Sequence, residues 1–473
     1  MTTECNQGWF EFHGLNPRRV IAKFDGGNIT SDAGILLLRE VEKRTGIIAG
    51  LAECFTDHRA PDAIEHTVRE LLGQRIYGLG LGYEDLNDHD QLRLDPMLAV
   101  AVEKPDPLGE NRRKTSDRGK ALAGKSTLNR LELTKADATR QERYKKIVMH
   151  EEKIDRWMVD VYIDSHPSAP DQIVLDLDAT DDTIHGNQEG RFYHGYYGNY
   201  CYLPLYIFSG EHLLCARLRR SNIDGAEGAV DELKRIVGQI RQAWPAVKVV
   251  IRADSGFCRE DLLSWCEQEA NGIDYVIGLA KNARLNQEIA EEMKSAEALF
   301  METGQSARVF KDFRYRTRDS WSRERRVVGK AEFMDKGANP RYVVTSLAPD
   351  RMDARTLYED FYCARGDMEN RIKEQQLDMF ADRTSAATMR ANQLRLYLSS
   401  AAYMLMHALR RLGLKDTDLA RAQCQTIRLK LLKIGAQIRV TVRNIWVSLA
   451  GAYPYFKVFA EVVRNLQAVP LRC

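Results

Sequence analysis

The spacing of apolar positions along the chain changes character near residue 170. From 32 to 164 apolar residues recur mostly at the three- and four-residue steps of helices. AGILLLREVEKR has Ser31 and Asp32 placed to cap it, EHTVRELLGQRIYGLG carries an apolar face, and a long charged stretch, QERYKKIVMHEEKIDRWMVDVYI, follows. Beyond Pro170 the pattern shortens to β-rich runs: QIVLDLDA, YLPLYIFSG, HLLCARLRR, KVVIRAD and YVIGLA, with the helical GAVDELKRIVGQIRQAW between the third and fourth. Three hairpin-like strands, a helix, a strand, a helix and a strand predict an α/β unit built on one mixed sheet.

Three short stretches in this part of the chain carry acids in suggestive positions. In QIVLDLDAT (172–180) Asp176 and Asp178 alternate with Leu175 and Leu177, so both carboxylates share one strand face. Such a face meets either a cation or, on an exposed edge strand, only water. KVVIRADSGF (248–257) is an apolar run ending in Asp254, ahead of the helical pattern REDLLSWCEQEA; an Asp there also serves as a simple cap. In the third stretch Phe361, Ala364, Met368, Ile372 and Leu377 mark an apolar helix face, and Tyr362, Arg365, Glu369 and Lys373 line another. Read alone, Glu369 with a cation four residues away on either side is ordinary helix ion pairing. Read together, two strand-borne aspartates and a helical glutamate are the hard oxygen ligands a pair of Mg²⁺ ions requires, and two ions about 3.5–4 Å apart stabilise both oxygens of a phosphodiester displacement.

Between Asp254 and Glu369 lie 114 residues, more than one helix and one strand need. The excess, 281–340, alternates in RVFKDFRYRTR and RRVVGKAEF and reads as a β-rich insertion. It interleaves Phe310, Phe313, Tyr315 and Trp321 with arginines, a composition that suits stacking on unpaired bases, Trp321 foremost, or a small core of its own. After Glu369 comes ANQLRLYLSSAAYMLMHALRRL, apolar on a wide face. IRLKLLKIGAQIRVTVRNIW (427–446) then reads as a further DNA contact or a structural hairpin.

Charge changes the picture through its distribution, since the net +2 of the 473 residues is unremarkable. From Glu110 to Lys146 twelve Lys/Arg stand against five Asp/Glu, and from Arg308 to Lys330 nine against three. Such stretches neutralise phosphates, or form solvated surface. The nine cysteines form no C-x-x-C pair and the ten histidines no zinc-finger spacing, so reduced thiols without structural zinc are expected. No leader and no membrane span is expected from MTTECNQGWFEFHG or any apolar run.

Gly119 to Ser126, GKALAGKS, matches the phosphate-loop pattern letter for letter. The polar, proline-containing EKPDPLGENRRKTSDR before it cannot be the buried strand such a loop needs. No nucleotide is therefore expected. Ser126 is expected to cap a helix, STLNRLELTK, whose Lys125, Asn129 and Arg130 approach DNA.

The combination D-A-T at 178–180, R-A-D-S-G-F at 252–257 and Y-x-x-R-x-x-x-E at 362–369 resembles the bacterial insertion-sequence DDE transposases of group 1. The likeness extends to HGNQEGRFYHGYYGNYCYLPLYIF (185–208), DAGILLLREVEKRTG (32–46), residues 57–96 and STLNRLE (126–132), in the same order. The resemblance implies an RNase H-like core and assigns Asp178, Asp254 and Glu369 as catalytic ligands of two Mg²⁺ ions, with Mn²⁺ substituting. Asp176 shares the face of Asp178; the Asp-small-Thr pattern favours Asp178. Tyr362, Arg365 and Lys373 become phosphate holders. Related families carry a lysine seven residues after the glutamate, where this chain has Gln376. The implied layout is a mainly helical DNA-binding region (1–165), a first part of the core (166–280), the β-rich insertion (281–340), a second part with the Glu369 helix (341–390), and a helical C-terminal region (391–473). The implied activity is cut-and-paste transposition by a homodimer that cleaves double-stranded DNA at terminal inverted repeats and joins it to target DNA, in the bacterial cytoplasm at the nucleoid. A catalytically silent end-binding relative is the alternative.

Overall fold

A computed structural model describes residues 9–472, which fall into two compact units: one runs to Val148 and resumes at Ala401, and the other is Met149–Ser400.

The second unit begins with α1 (Glu151–Asp164) and β1 (Gln172–Ala179), followed by β2 (Leu205–Ser209), β3 (His212–Arg217), α2 (Ala229–Ala243), β4 (Lys248–Ala253), α3 (Glu260–Cys266) and β5 (Ile273–Leu279). It continues through α4 (Ala283–Glu288), α5 (Ala290–Thr303), β6 (Ala307–Tyr315), β7 (Arg325–Met334), β8 (Gly337–Ala338) and β9 (Arg341–Thr345). All nine strands join one sheet in the order β3-β2-β1-β4-β5-β9-β7-β6, with β8 paired to β7. β1, β4 and β5 are mutually parallel, and β2, β3 and β9 run antiparallel to their neighbours.

Burial on both faces explains why β1, β4 and β5 are so apolar. On one face Ile173, Leu175, Leu177, Val249, Ile251 and Ile277 pack with Val159 and Tyr162 of α1, Leu233 and Ile236 of α2, and Leu262 of α3. On the other, Val250, Val276, Val328 and Val343 lie under Leu357 and Tyr358. These two residues belong to an unbroken helical run from Ala354 to Asp378, whose central turns are α6 (Gly366–Lys373), flanked by wider π turns at Leu357–Tyr362 and Glu374–Asp378. The chain leaves this unit within α7 (Met389–Leu412).

Three expectations change here. Residues 281–340 form no separate insertion: α4 and α5 lead into β6 and β7, which extend the main sheet. β7 places Val327 in one core and Val328 in the other, as an interior strand must. The first boundary moves from 165 to 148, because α1 packs into the core of the sheet. The long charged helix expected over 141–163 is instead a short strand, Ile147–Met149, and α1.

The first unit is helical around Val68–Leu81, which Thr67 and Glu70 close with reciprocal capping hydrogen bonds. Its residues from Leu71 to Leu81 are buried on every side rather than on one face. Asp32 caps no helix: the helix Ile35–Thr45 starts after Gly34, and Asp32 instead accepts a hydrogen bond from Tyr83 (2.7 Å). The 427–446 segment supplies the hairpin Ala436–Val440 and Ile445–Leu449, paired with Asn28–Thr30, so the C-terminal region is not wholly helical. Among the described residues no helix is long and apolar enough to cross a membrane; residues 1–8 of the leader reading lie outside them.

Candidate active site

The parallel register of β1 and β4 sets Arg252 opposite Asp176 and Ala253 opposite Leu177. One step further along both strands, Asp178 and Asp254 emerge side by side at the sheet's C-terminal edge. That is where ligands approach open α/β sheets.

The two layers differ in chemistry. In the lower one, Arg252 Nε and Nη2 donate to Asp176 Oδ1 and Oδ2 at 2.5 and 2.8 Å. Burial raises the Asp176 carboxyl, and the guanidinium opposes the rise. Both of its oxygens are engaged, and the side chain is buried. In the upper layer Asp254 Oδ1 accepts the Gly256 amide (2.8 Å), so this aspartate does cap the turn Ser255–Phe257, with one oxygen.

Glu369 reaches the same place from α6. Arg365, one turn earlier, donates to Glu369 Oε1 at 2.6 Å and to Asp178 Oδ1 at 3.5 Å. Burial pushes the Asp178 carboxyl up to about 6; Arg365 pulls against this, and the charges of Asp254 and Glu369 add to it. Asp178 thus feels the charges of both other acids, and the Arg365 guanidinium lies against it and Glu369. Among the described residues no three His, Cys, Asp or Glu side chains stand close enough to hold a metal ion as they are. The donor set nevertheless fits one: three carboxylates are hard ligands, and a carboxyl raised by burial and, to a lesser degree, by like charges gains from an added cation.

Tyr362 completes the corner. A Cβ on Gly278 of β5 would stand 2.5 Å from the Tyr362 hydroxyl and 2.9 Å from the Ser255 amide, so this glycine admits the phenol beside the Asp254 turn. Lys373 is exposed one turn beyond Glu369. Gln376 turns inward, its Nε2 donating to Asp182 Oδ1 (3.0 Å) and the Asp181 carbonyl (3.4 Å).

A model of the family described as transposase DDE domain group 1 matches residues 12–471. The chain belongs to this DDE transposase family. No curated protein matches it. Among solved structures it is similar to the cryo-EM structure of the piggyBac transposase synaptic complex with hairpin DNA, at 14% identity and a TM-score of 0.40, over 85% of this chain and 80% of that one. DDE transposases generally use divalent metal ions.

Other expected DNA contacts of this DDE transposase lie elsewhere. Trp321 is 4% exposed, edge-on to Tyr315 at 5.9 Å and beneath the Arg325 guanidinium. It is a core residue with no face left for a base. In the first unit Asn129 and Arg130 are exposed, Arg130 lying over the Tyr144 ring, while Lys125 donates to Asn87 (3.2 Å) and pairs with Asp90 (3.5 Å). Ser126 is no cap, since the helix Lys125–Glu132 starts after Gly124, and no strand leads into the loop. Sequence reasoning missed Arg252 and Gly278. Arg252 carried a signal, two residues before Asp254 on the same strand face.

Proposed function

We propose that this DDE transposase cuts DNA at the ends of its element and joins them to target DNA, with Asp178, Asp254 and Glu369 as the catalytic acids. The observation that carries the reading is the convergence of Asp178 and Asp254 at neighbouring strand ends, linked to Glu369 through Arg365. The order β3-β2-β1-β4-β5, with its parallel centre, supports an RNase H-like core.

Asp178, Asp254 and Glu369 would hold two Mg²⁺ ions, with Mn²⁺ as substitute; bound there, the ions supply Lewis-acid activation of the nucleophile and neutralise charge on the phosphate oxygens. The remaining work falls to the chain. The Tyr362 hydroxyl, held at the Asp254 corner, orients a phosphate oxygen. Arg365 exchanges its carboxylate partners for the scissile phosphate, and Lys373 holds the flanking one. In cleavage, water oxygen bonds to phosphorus as the 3′-oxygen leaves with a proton. In joining, that 3′-hydroxyl attacks a target phosphodiester and expels its 3′-oxygen. Asp176 and Arg252 keep the two aspartate strands in register. Asn129, Arg130 and Lys125 add DNA contacts, and two ends joined together call for a homodimer.

The test is incubation of the purified protein and Mg²⁺ with a plasmid carrying the element's ends. Cleavage leaving 3′-hydroxyl termini, abolished by Glu369→Gln, is expected. Binding to ends without cutting would make the chain a silent end-binding protein.

A further inference from the structure

Between β1 and β2 the chain forms a small three-stranded sheet, Asp182–Thr183, Phe192–His194 and Asn199–Tyr202. The family assignment gives this hairpin no role. Its aromatic rings point outward: Tyr196 is 87% exposed, Tyr193 59% and Tyr200 46%. Rings that bury so little contribute nothing to a core, and a cluster of them marks a surface that meets something.

Three features say what. The hairpin is moored to the catalytic strand: Tyr197 donates its hydroxyl hydrogen to the Ala179 carbonyl (3.3 Å), one residue beyond Asp178, and Asn199 Nδ2 donates to Asp181 Oδ2 (3.2 Å) and Thr183 Oγ1 (3.0 Å). A cation accompanies the rings: the Arg191 guanidinium lies 4.5 Å from the Tyr200 centroid. Finally, the Asp178 side chain is only 17% exposed. Bringing a phosphodiester within cation-bridging reach of so recessed a carboxylate calls for the strand to bend away from the duplex path, at the cost of stacking beside it.

We infer that the Phe192–Tyr200 hairpin is a stacking platform for unpaired nucleobases next to the bond that is cut. The inference rests on the DNA-cutting reading above. Aromatic faces take any base, and the neighbouring Arg191 guanidinium takes backbone charge, so the site is tolerant of sequence.

Fluorescence anisotropy of full-length protein in EDTA, with a poly-dT oligonucleotide and with a mixed-sequence duplex, tests it. Tyr196→Ala, and Tyr193→Ala with Tyr200→Ala, should each weaken poly-dT binding by about tenfold per ring. Tyr196→Phe should retain it, and duplex affinity should hold within about twofold, as expected if the stacking energy belongs to unpaired bases alone. Unchanged poly-dT affinity in the alanine variants would overturn the proposal, and variants that instead alter the sedimentation of the free protein would mark a surface for a second copy. Wild type that binds duplex but not poly-dT sinks this inference alone; wild type that binds neither sinks the DNA-cutting reading with it.

Discussion

Arg252 grips Asp176 with two hydrogen bonds directly beneath the pair Asp254 and Asp178. The same strand face therefore holds, two residues apart, one acid gripped through both oxygens and one held by Arg365 at 3.5 Å. Removing one partner of a buried pair strands the other charge, at roughly 3–5 kcal/mol. Asp176→Ala should accordingly lower Tm by on the order of 10 °C. Asp178→Asn, which removes a carboxyl already raised by burial, should lower it little or not at all. Thermal unfolding of the two variants checks this; equal losses would contradict it.

Arg365 stands between Asp178 and Glu369 as their counter-ion. Arg365→Gln leaves the two carboxylates facing each other, so a divalent cation should bind more tightly, by about tenfold for one lost unit of local charge. Cleavage should nevertheless fall by tenfold or more if Arg365 is the phosphate ligand proposed above. Calorimetric Mn²⁺ titration beside a cleavage assay separates the two effects. A fall in both would mean that Arg365 only holds the acids together.

Gly278 leaves room for the Tyr362 hydroxyl. Gly278→Ala should displace the phenol and the Asp254 turn together, and cost about a hundredfold in cleavage rate, the scale of a one-ångström misplacement. Tyr362→Phe in the same chain removes the nearer of the two clashing atoms and leaves the Ser255 amide, so the double variant should regain part of the activity lost in Gly278→Ala. A double variant worse than either single one would show that the contact is incidental.

Asp182 is fully buried, and burial pushes its carboxyl up to about 8, with the Gln376 hydrogen bond opposing. The folded chain then keeps this proton at pH values where the unfolded chain, titrating near 3.8, has released it. Stability should fall as pH rises from about 4 to about 8, then level off. Asp182→Asn should flatten that part of the profile in urea unfolding at stepped pH. Parallel profiles for the two proteins would contradict the assignment.

Much of the sheet was legible because its signal is local. Alternation in QIVLDLDAT put Asp176 and Asp178 on one face, and the apolar run before Asp254 gave the second strand. What separates Asp176 from Asp178 is register with Arg252, 76 residues away, which no local pattern encodes. The same limit applies to β6 and β7: their alternation fits a free-standing sheet as well as an extension of the main one. Only pairing of β7 with β9 decides. Trp321 among arginines fits an exposed stacking residue as well as a core one, and only the fold shows Arg325 covering its ring within the core. Gln376 read only as a missing lysine until Asp182 appeared as its partner.

The most direct measurement is Mn²⁺ binding, followed by electron paramagnetic resonance, in wild type and in Asp178→Asn, Asp254→Asn, Glu369→Gln and Asp176→Asn. If the three acids form one cation site, each of the first three substitutions weakens binding by about tenfold or more, one unit of ligand charge being lost. Asp176→Asn, already neutralised by Arg252, leaves it nearly unchanged wherever the chain remains folded. Binding indifferent to Asp178, Asp254 and Glu369, or lost through Asp176 alone, would contradict the account.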